Sequence, residues 1–306
     1  LVDCGLFQGC TFCETRNFID FPFDAKTIDA VVLTHAHLDH TGRLPKLIKA
    51  GFKGKIYATA PTLELAQLVL EDAYHIMLEA FRREYRPPLY EEQDVLDVQK
   101  YSQAVEYSKT FKIGDLSVRF RDAGHIFGSA FIEITDSAGK RVVFSGDLGN
   151  HNVPILRETA QLSDVDAVIM ESTYGNRIHE DESTREAKLR EVLIRTIKQK
   201  GVLIVPAFAI ERTQQLLYEL NHLKNKKLIP PVEVYLDSPM AIGATEVIKK
   251  YPEYYDPEAK SLARSGDDLF DFDGLHVCRT REESKLINEA PFPKVIISGA
   301  GMMNGG

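Results

Sequence analysis

Cysteine is scarce. Four cysteines in 306 residues, Cys4, Cys10, Cys13 and Cys278, provide no disulfide framework. Cys10 and Cys13 form a lone C-x-x-C without a second pair, so reduced thiols of a cytosolic protein are the expectation. No uninterrupted apolar run reaches the roughly 18 residues needed to span a bilayer, and no membrane-spanning segment is expected. Positive charge is also short: 37 Lys and Arg stand against 45 Asp and Glu, a net charge of −8. That balance argues against a protein that coats nucleic acid non-specifically, while leaving room for contacts confined to one basic groove and to metal ions. Internal repeats, low-complexity tracts and a glycine-rich dinucleotide fingerprint are missing too. What remains is the composition of an ordinary globular protein, 44% hydrophobic and 27% charged, long enough for one large or two medium domains.

The densest chemistry lies in Thr34-His35-Ala36-His37-Leu38-Asp39-His40, directly after the apolar run Ala30-Val31-Val32-Leu33. Such a run predicts a buried strand, and Thr41-Gly42 followed by Leu44, Leu47 and Ile48 predicts a loop passing into a helix. The cluster therefore falls at the C-terminal end of a strand, where ligand sites of α/β sheets gather. In an extended segment His35 and His37 point to the same side, so two imidazoles can meet one cation. Asp39 and His40 then turn away and can serve a second. Imidazole suits zinc, and a carboxylate suits a neighbouring or bridging position. Core packing would not choose this segment, because burying so many ionisable groups without a metal is costly.

The same habit recurs along the chain. Leu1-Val2-Asp3 ends on an acid, residues 116–120 run into Arg121-Asp122-Ala123-Gly124-His125, residues 141–144 into Ser145-Gly146-Asp147, and residues 167–170 into Glu171. Five separated strands that deliver acid or imidazole at one end build one site on one sheet edge. Between them, Pro61 opens a long helix with Leu65, Leu68, Val69, Ala73 and Ile76 on an apolar face, and Arg82, Arg83 and Arg86 form a basic run, read as a solvated face with an RNA-backbone contact as the alternative. Residues 45–50 and 90–104 read as helices, and residues 131–134 and 141–144 as a hairpin. Beyond Arg177 the texture changes. Ser183-Thr184-Arg185-Glu186 signs a helix start, and strands at 201–206, 232–236 and 294–297 alternate with helices at 210–223 and 240–251, as in a parallel α/β unit. A boundary is placed near residue 177, giving domains 1–177 and 178–306. Neither end of the chain reads as a natural terminus, so an internal fragment is expected.

Together these residues resemble the metallo-β-lactamase superfamily and, within it, the β-CASP branch of nucleic-acid-processing nucleases. The first likeness rests on Asp3, on His35, His37, Asp39 and His40, on Ala123-Gly124-His125 and on Ser145-Gly146-Asp147. The second rests on Glu171-Ser172-Thr173-Tyr174-Gly175, Pro206-Ala207-Phe208-Ala209 with Arg212-Thr213-Gln214, Leu236-Asp237-Ser238-Pro239-Met240-Ala241 and Ser298-Gly299-Ala300-Gly301-Met302. It covers practically the whole chain and is nearest to prokaryotic relatives of the endonuclease that cleaves messenger-RNA precursors before polyadenylation.

The resemblance implies an α/β fold: a metallo-β-lactamase αββα sandwich with an inserted β-CASP α/β domain, incomplete at both ends, the site lying between the domains. It implies two zinc ions, with His35, His37 and His125 on one, Asp39 and His40 on the other, Asp147 bridging, and Asp3 behind them orienting the ligand loop. The activity implied is hydrolysis of RNA phosphodiesters, internal, from the 5′ end or both, by a metal-bridging hydroxide that leaves a 5′-phosphate and a 3′-hydroxyl. Asp39 would accept the proton, Glu171 would orient an acid histidine, and Arg212 and Ser298 would contact phosphate. That acid histidine and a further ligand are expected beyond residue 306, so this stretch alone should be impaired. His151, His179, His222 and His276 qualify as ligands by residue type only. Single-stranded RNA is the expected partner, in the cytoplasm and away from membranes, with a homodimer or an RNA-processing complex as the assembly; the choice of RNA over DNA rests on the likeness alone. Two rivals remain: a thioester or lactam hydrolase, which would not need a long cleft, and a non-catalytic scaffold subunit, which would not keep an intact ligand set.

Overall fold

Side-chain alternation along one short strand decides how the first half of the chain is layered. In the computed structural model, which describes residues 1–9, 11–84, 87–178 and 184–299 with the side chains of Thr11, Phe12 and Glu84 excepted, two units emerge. One is Leu1–His151 with Glu158–Ser172; the other is Asn152–Arg157 with the chain from Thr173 onward. Arg86, His179, Ser183 and the glycine-rich residues 300–306 lie outside the described residues.

The first unit holds two sheets. Strands β1 (Ala30–Val32), β2 (Lys55–Ala58) and β3 (Ser102–Ala104) are parallel, in the order β1-β2-β3. The second sheet runs in sequence order through β4 (Thr110–Ile113), β5 (Leu116–Asp122), β6 (Ala130–Thr135), β7 (Arg141–Phe144) and β8 (Ala167–Ile169). Its strands are antiparallel except for the parallel β7–β8 pair. Among the described residues the α-helices here are α1 (Thr11–Thr15), α2 (Leu38–Thr41), α3 (Leu44–Lys49), α4 (Ala60–Glu84) and α5 (Glu92–Tyr101). Val31 and Leu33 turn to one side and cluster with Leu44, Leu47, Leu70, Tyr74, Val95 and Val98 of the helices. Val32, between them, turns the other way and joins Val118, Phe120, Ala130 and Ile132 of the second sheet. One residue of register thus separates helix-on-sheet from sheet-on-sheet packing, at about 1.5–3 kcal/mol for each fully buried side chain.

The second unit is a parallel sheet in the order β11-β10-β12-β9, from β9 (Val202–Pro206), β10 (Glu233–Asp237), β11 (Leu275–Val277) and β12 (Lys294–Ser298). Helices α6 (Arg185–Lys198), α7 (Arg212–Asn225), α8 (Pro239–Lys249), α9 (Pro257–Arg264) and α10 (Arg281–Leu286) connect and flank the strands. Pro239 sits in the first turn of α8, and Ser238 before it accepts the Ala241 N–H, so the chain enters that helix with a proper cap.

Several details differ from expectation. The helix read across residues 90–104 stops at Tyr101, because the open edge of β2 takes Ser102–Ala104 as a strand, with Ile56 opposite Ser102. Strands β4 and β11 were not foreseen, each being a short alternating run with only two apolar residues. Cys4 and Cys278 are buried free thiols, but Cys13 is disulfide-bonded, correcting the expectation of reduced thiols there. The lone C-x-x-C is weak evidence for zinc or redox work alike, and the expectation of reduced thiols is what fails at Cys13.

One core position is imperfect. Tyr90 is fully buried, and its hydroxyl meets no hydrogen-bond partner among the described residues. Desolvation of that group costs about 1–3 kcal/mol. Tyr90→Phe should therefore leave stability unchanged or raise it, whereas Tyr90→Ala should cost about 3–5 kcal/mol through the cavity it opens. Thermal or urea unfolding of both variants checks this, and a destabilised Phe variant would contradict it.

Candidate metal centre

The first ligand-bearing segment is anchored by an acid from the start of the chain. Val2 bridges to Val32 in parallel, and Asp3 follows with φ at +53°, a conformation that aspartate tolerates. Its carboxylate receives the Thr34 N–H and the Thr34 hydroxyl, each at 2.8 Å, and the His40 Nδ1–H at 2.7 Å. The chain after Asp3 runs alongside α2: Cys4 donates to the His40 carbonyl at 2.7 Å and Leu6 to that of Leu38 at 3.0 Å. Gly5 is required between them, because a Cβ there would lie 1.4 Å from the Asp39 carbonyl oxygen. His37 caps α2, and its carbonyl takes the N–H of His40.

The remaining ligand types arrive from two turns of the second sheet. His125 lies between β5 and β6, where its N–H and that of Ile126 both donate to the buried Ser129 Oγ, at 3.1 and 3.2 Å. Asp122 takes the Gly124 N–H at 3.0 Å. Asp147 follows β7 after Gly146, whose φ is +53° and which rests against the Thr34 side chain.

These turns bring the predicted ligands into one cluster. His35 Nε2 lies 3.0 Å from His37 Nδ1, and His125 Nε2 lies 3.3 Å from the same nitrogen. Asp147 Oδ2 stands 3.8 Å from His35 Nε2 and 3.6 Å from His125 Nε2. A tetrahedral zinc with Zn–N of about 2.0–2.1 Å has donor–donor edges of about 3.3–3.4 Å, so the donor set and its spacing fit such a cation. A second group shares Asp147: His40 Nε2 is 3.3 Å from Asp147 Oδ1 and 3.7 Å from Asp39 Oδ2. Three donors leave that position open to water or substrate, and the Asp39 side chain is half exposed.

Electrostatics separate the two groups. Burial, reinforced by the neighbouring imidazoles, pushes the His35 pKa well below its usual value. Burial and the nearby His125 lower that of His37 to about 4, and burial lowers that of His125 as well. These three are neutral at physiological pH, as metal ligation requires. His40 behaves oppositely. Burial alone would lower its pKa, but hydrogen bonds to Asp147 and Asp3 outweigh it and raise the value to about 10. Its bond to Asp147 in turn lowers the pKa of that carboxyl.

Other expected residues fall as follows. Glu171 follows β8; its N–H donates to Ser145 Oγ at 3.0 Å and its carboxylate accepts the Leu148 N–H at 3.4 Å, beside the Asp147 turn. Arg212 and Ser298 belong to the second unit. Arg212 opens α7, exposed, and donates to Gln215 at 3.0 Å; Ser298 ends β12, opposite Asp237 and Pro206. Glu211, just before Arg212, is buried with φ at +72°, held by a capping box with Gln214. His151 pairs with Glu158, His222 with Glu186 and His276 with Glu233. Thr34, Ser129 and Ser145 hold the cluster in place and were given no role from sequence; Thr34 stood inside the motif, but a hydroxyl carries no ligand signal of its own.

Residues 1–173 match the metallo-beta-lactamase superfamily domain, and residues 213–306 match the Beta-Casp domain. Along its whole length the chain is 39% identical to Ribonuclease TTHA0252 of Thermus thermophilus, spanning 68% of that protein. It is 33% identical to the transcription termination factor FttA of Methanosarcina mazei, spanning 48% of it. An RNase J-like protein of Methanocaldococcus jannaschii is 31% identical over 92% of the chain, which covers 63% of that relative.

The contrast between the histidines predicts two classes of cation. The first group has no proton to displace, whereas loading the second requires His40 to give up the proton it shares with Asp147. Calorimetric titration of metal-free protein with zinc at about pH 7.5, in buffers of different ionisation enthalpy, should show almost no proton release with the first equivalent and about one proton with the second. Affinity for the second should rise with pH. Equal proton release from both steps would contradict the assignment.

Proposed function

Because the chain belongs to the metallo-β-lactamase superfamily and carries its β-CASP domain, we propose that it is a ribonuclease that hydrolyses single-stranded RNA with two zinc ions. The observation that carries this reading is the convergence of His35, His37, His125 and Asp147, with Asp39 and His40 alongside, from separate strand exits. One zinc would be held by His35, His37, His125 and Asp147, the other by Asp39, His40 and the second oxygen of Asp147. When bound, such a pair makes water nucleophilic near neutral pH and clamps the oxygens of a phosphodiester undergoing in-line displacement.

The side chains supply the rest. Asp3 accepts the His40 Nδ1–H and thereby leaves Nε2 to face the cluster. Asp39 offers a half-exposed carboxylate to take the proton of the attacking water. That water oxygen bonds to phosphorus and the 3′ oxygen leaves, giving a 5′-phosphate and a 3′-hydroxyl. Glu171, fixed by Ser145 and Leu148, is suited to orient a proton donor for the departing oxygen. In the second unit Ser298 ends β12 opposite Pro206, the last residue of β9, and Arg212 opens α7 six residues later; both would meet phosphate.

RNA as substrate is supported by relatives named as a ribonuclease, an RNase J-like protein and transcription termination factors. The Beta-Casp match favours a polymer over a thioester or lactam. Among the described residues no helix is long and apolar enough to cross a membrane, and we place the activity in the cytoplasm, in a homodimer or an RNA-processing assembly.

Labelled single-stranded RNA and a thioester, offered side by side to the protein at the length of its relatives, test the substrate; turnover of the thioester alone would overturn the reading. In that protein His37→Ala or Asp147→Ala should lower RNA cleavage by more than about 10²-fold, since residues that merely support ligands already cost 10–100-fold. Both metal-free variants should still unfold cooperatively from a folded state, Asp147→Ala at a somewhat lower temperature because it loses the bond to His40. Cleavage at the parental rate in either variant would refute the assigned roles.

A further inference from the structure

Thr34 touches every segment that feeds the metal cluster. It is almost fully buried. Its N–H and hydroxyl reach the two oxygens of Asp3, and the same hydroxyl oxygen lies 3.0 Å from His35 Nδ1 and 3.4 Å from His40 Nδ1. Its carbonyl accepts the Ala130 N–H at 2.7 Å, where β6 begins just past the His125 turn. Gly146, which leads into Asp147, sits so close that a Cβ there would come within 2.6 Å of the Thr34 Cβ.

Counting protons fixes what the hydroxyl does. It has one proton and two lone pairs. The hydroxyl proton goes to the Asp3 carboxylate, which also accepts the Thr34 N–H and the His40 Nδ1–H. A lone pair of Thr34 then faces His35 Nδ1 at 3.0 Å, and that contact is a hydrogen bond only if Nδ1 carries the proton. The bare nitrogen of His35 is therefore Nε2, the one aimed at His37 and Asp147. The 3.4 Å approach to His40 adds little, because His40 Nδ1–H is already given to Asp3 at 2.7 Å.

We propose that Thr34 is a positioning residue whose hydroxyl selects the Nδ1–H tautomer of His35 and links it to the Asp3–His40 pair. One side chain thus orients a ligand of each cation group. The inference rests on the metal-centre reading, but its first readout does not.

The test compares Thr34→Val, which keeps the branched shape and loses the hydroxyl, with Thr34→Ser, which keeps the hydroxyl. Long-range nitrogen–proton NMR of metal-free protein should show a single Nδ1–H tautomer of His35 in the parent and in Thr34→Ser, and a loss of that preference in Thr34→Val. Zinc affinity, from chelator competition, should fall about 10–100-fold in Thr34→Val and be restored in Thr34→Ser. An unchanged tautomer and affinity in Thr34→Val would overturn the proposal. So would an equal loss in Thr34→Ser, which also decides the matter should the valine variant fail to fold. Failure of the parent to bind zinc would instead sink the metal reading and leave the tautomer measurement to judge Thr34.

Discussion

Nitrogens and carboxylate oxygens gathered within 3.0 to 3.8 Å of one another need protons or a cation between them, and everything around the cluster follows from that demand. In the first group three imidazoles are driven neutral by burial, so their bare nitrogens converge with Asp147 on a point suited to a cation. In the second group a proton on His40 does the same work between Asp3 and Asp147. The two groups are coupled through the two oxygens of Asp147, so what binds at one alters the other.

Rigid support makes such an arrangement affordable. Parallel β1 and the bridge from Val2 fix Asp3 behind the histidines, and the hydrogen bonds of Thr34, Ser129 and Ser145 hold three ligand turns by side chain–backbone contacts. Burial of Val31 and Val32 in opposite cores locks the register of β1 and, with it, the direction in which the motif leaves the strand. Stability of the fold and geometry of the site are in this sense the same set of contacts.

Much of this was legible before any coordinates. The run from Ala30 to Leu33 had the apolar character of a buried strand, and repeated acid or imidazole at strand exits pointed to one sheet edge; the exits in fact belong to two sheets, β1 in the three-stranded one and β5, β7 and β8 in the five-stranded one. The cluster gathers His35, His37, His125 and Asp147, with Asp39 and His40 beside the same Asp147; the exits alone had paired only His35 with His37 and Asp39 with His40, and the places of His125 and Asp147 came from the family resemblance. What escaped had physical reasons. Ser102-Gln103-Ala104 has no strand preference of its own and becomes a strand only because β2 offers an open edge. Residues 110–113 do alternate, but with only Phe111 and Ile113 apolar the run is too short to stand out. Thr34 acts through a hydroxyl whose importance depends on residues 31 positions back and on a turn more than a hundred residues ahead. Such long-range convergence has no local signature.

Anomalous X-ray scattering at the zinc edge from zinc-equilibrated crystals addresses the central claim most directly. The account predicts two peaks about 3.5–4 Å apart, the first enclosed by His35, His37, His125 and Asp147 and the second against Asp39 and His40. Density for zinc elsewhere, with none among these six side chains, would contradict it.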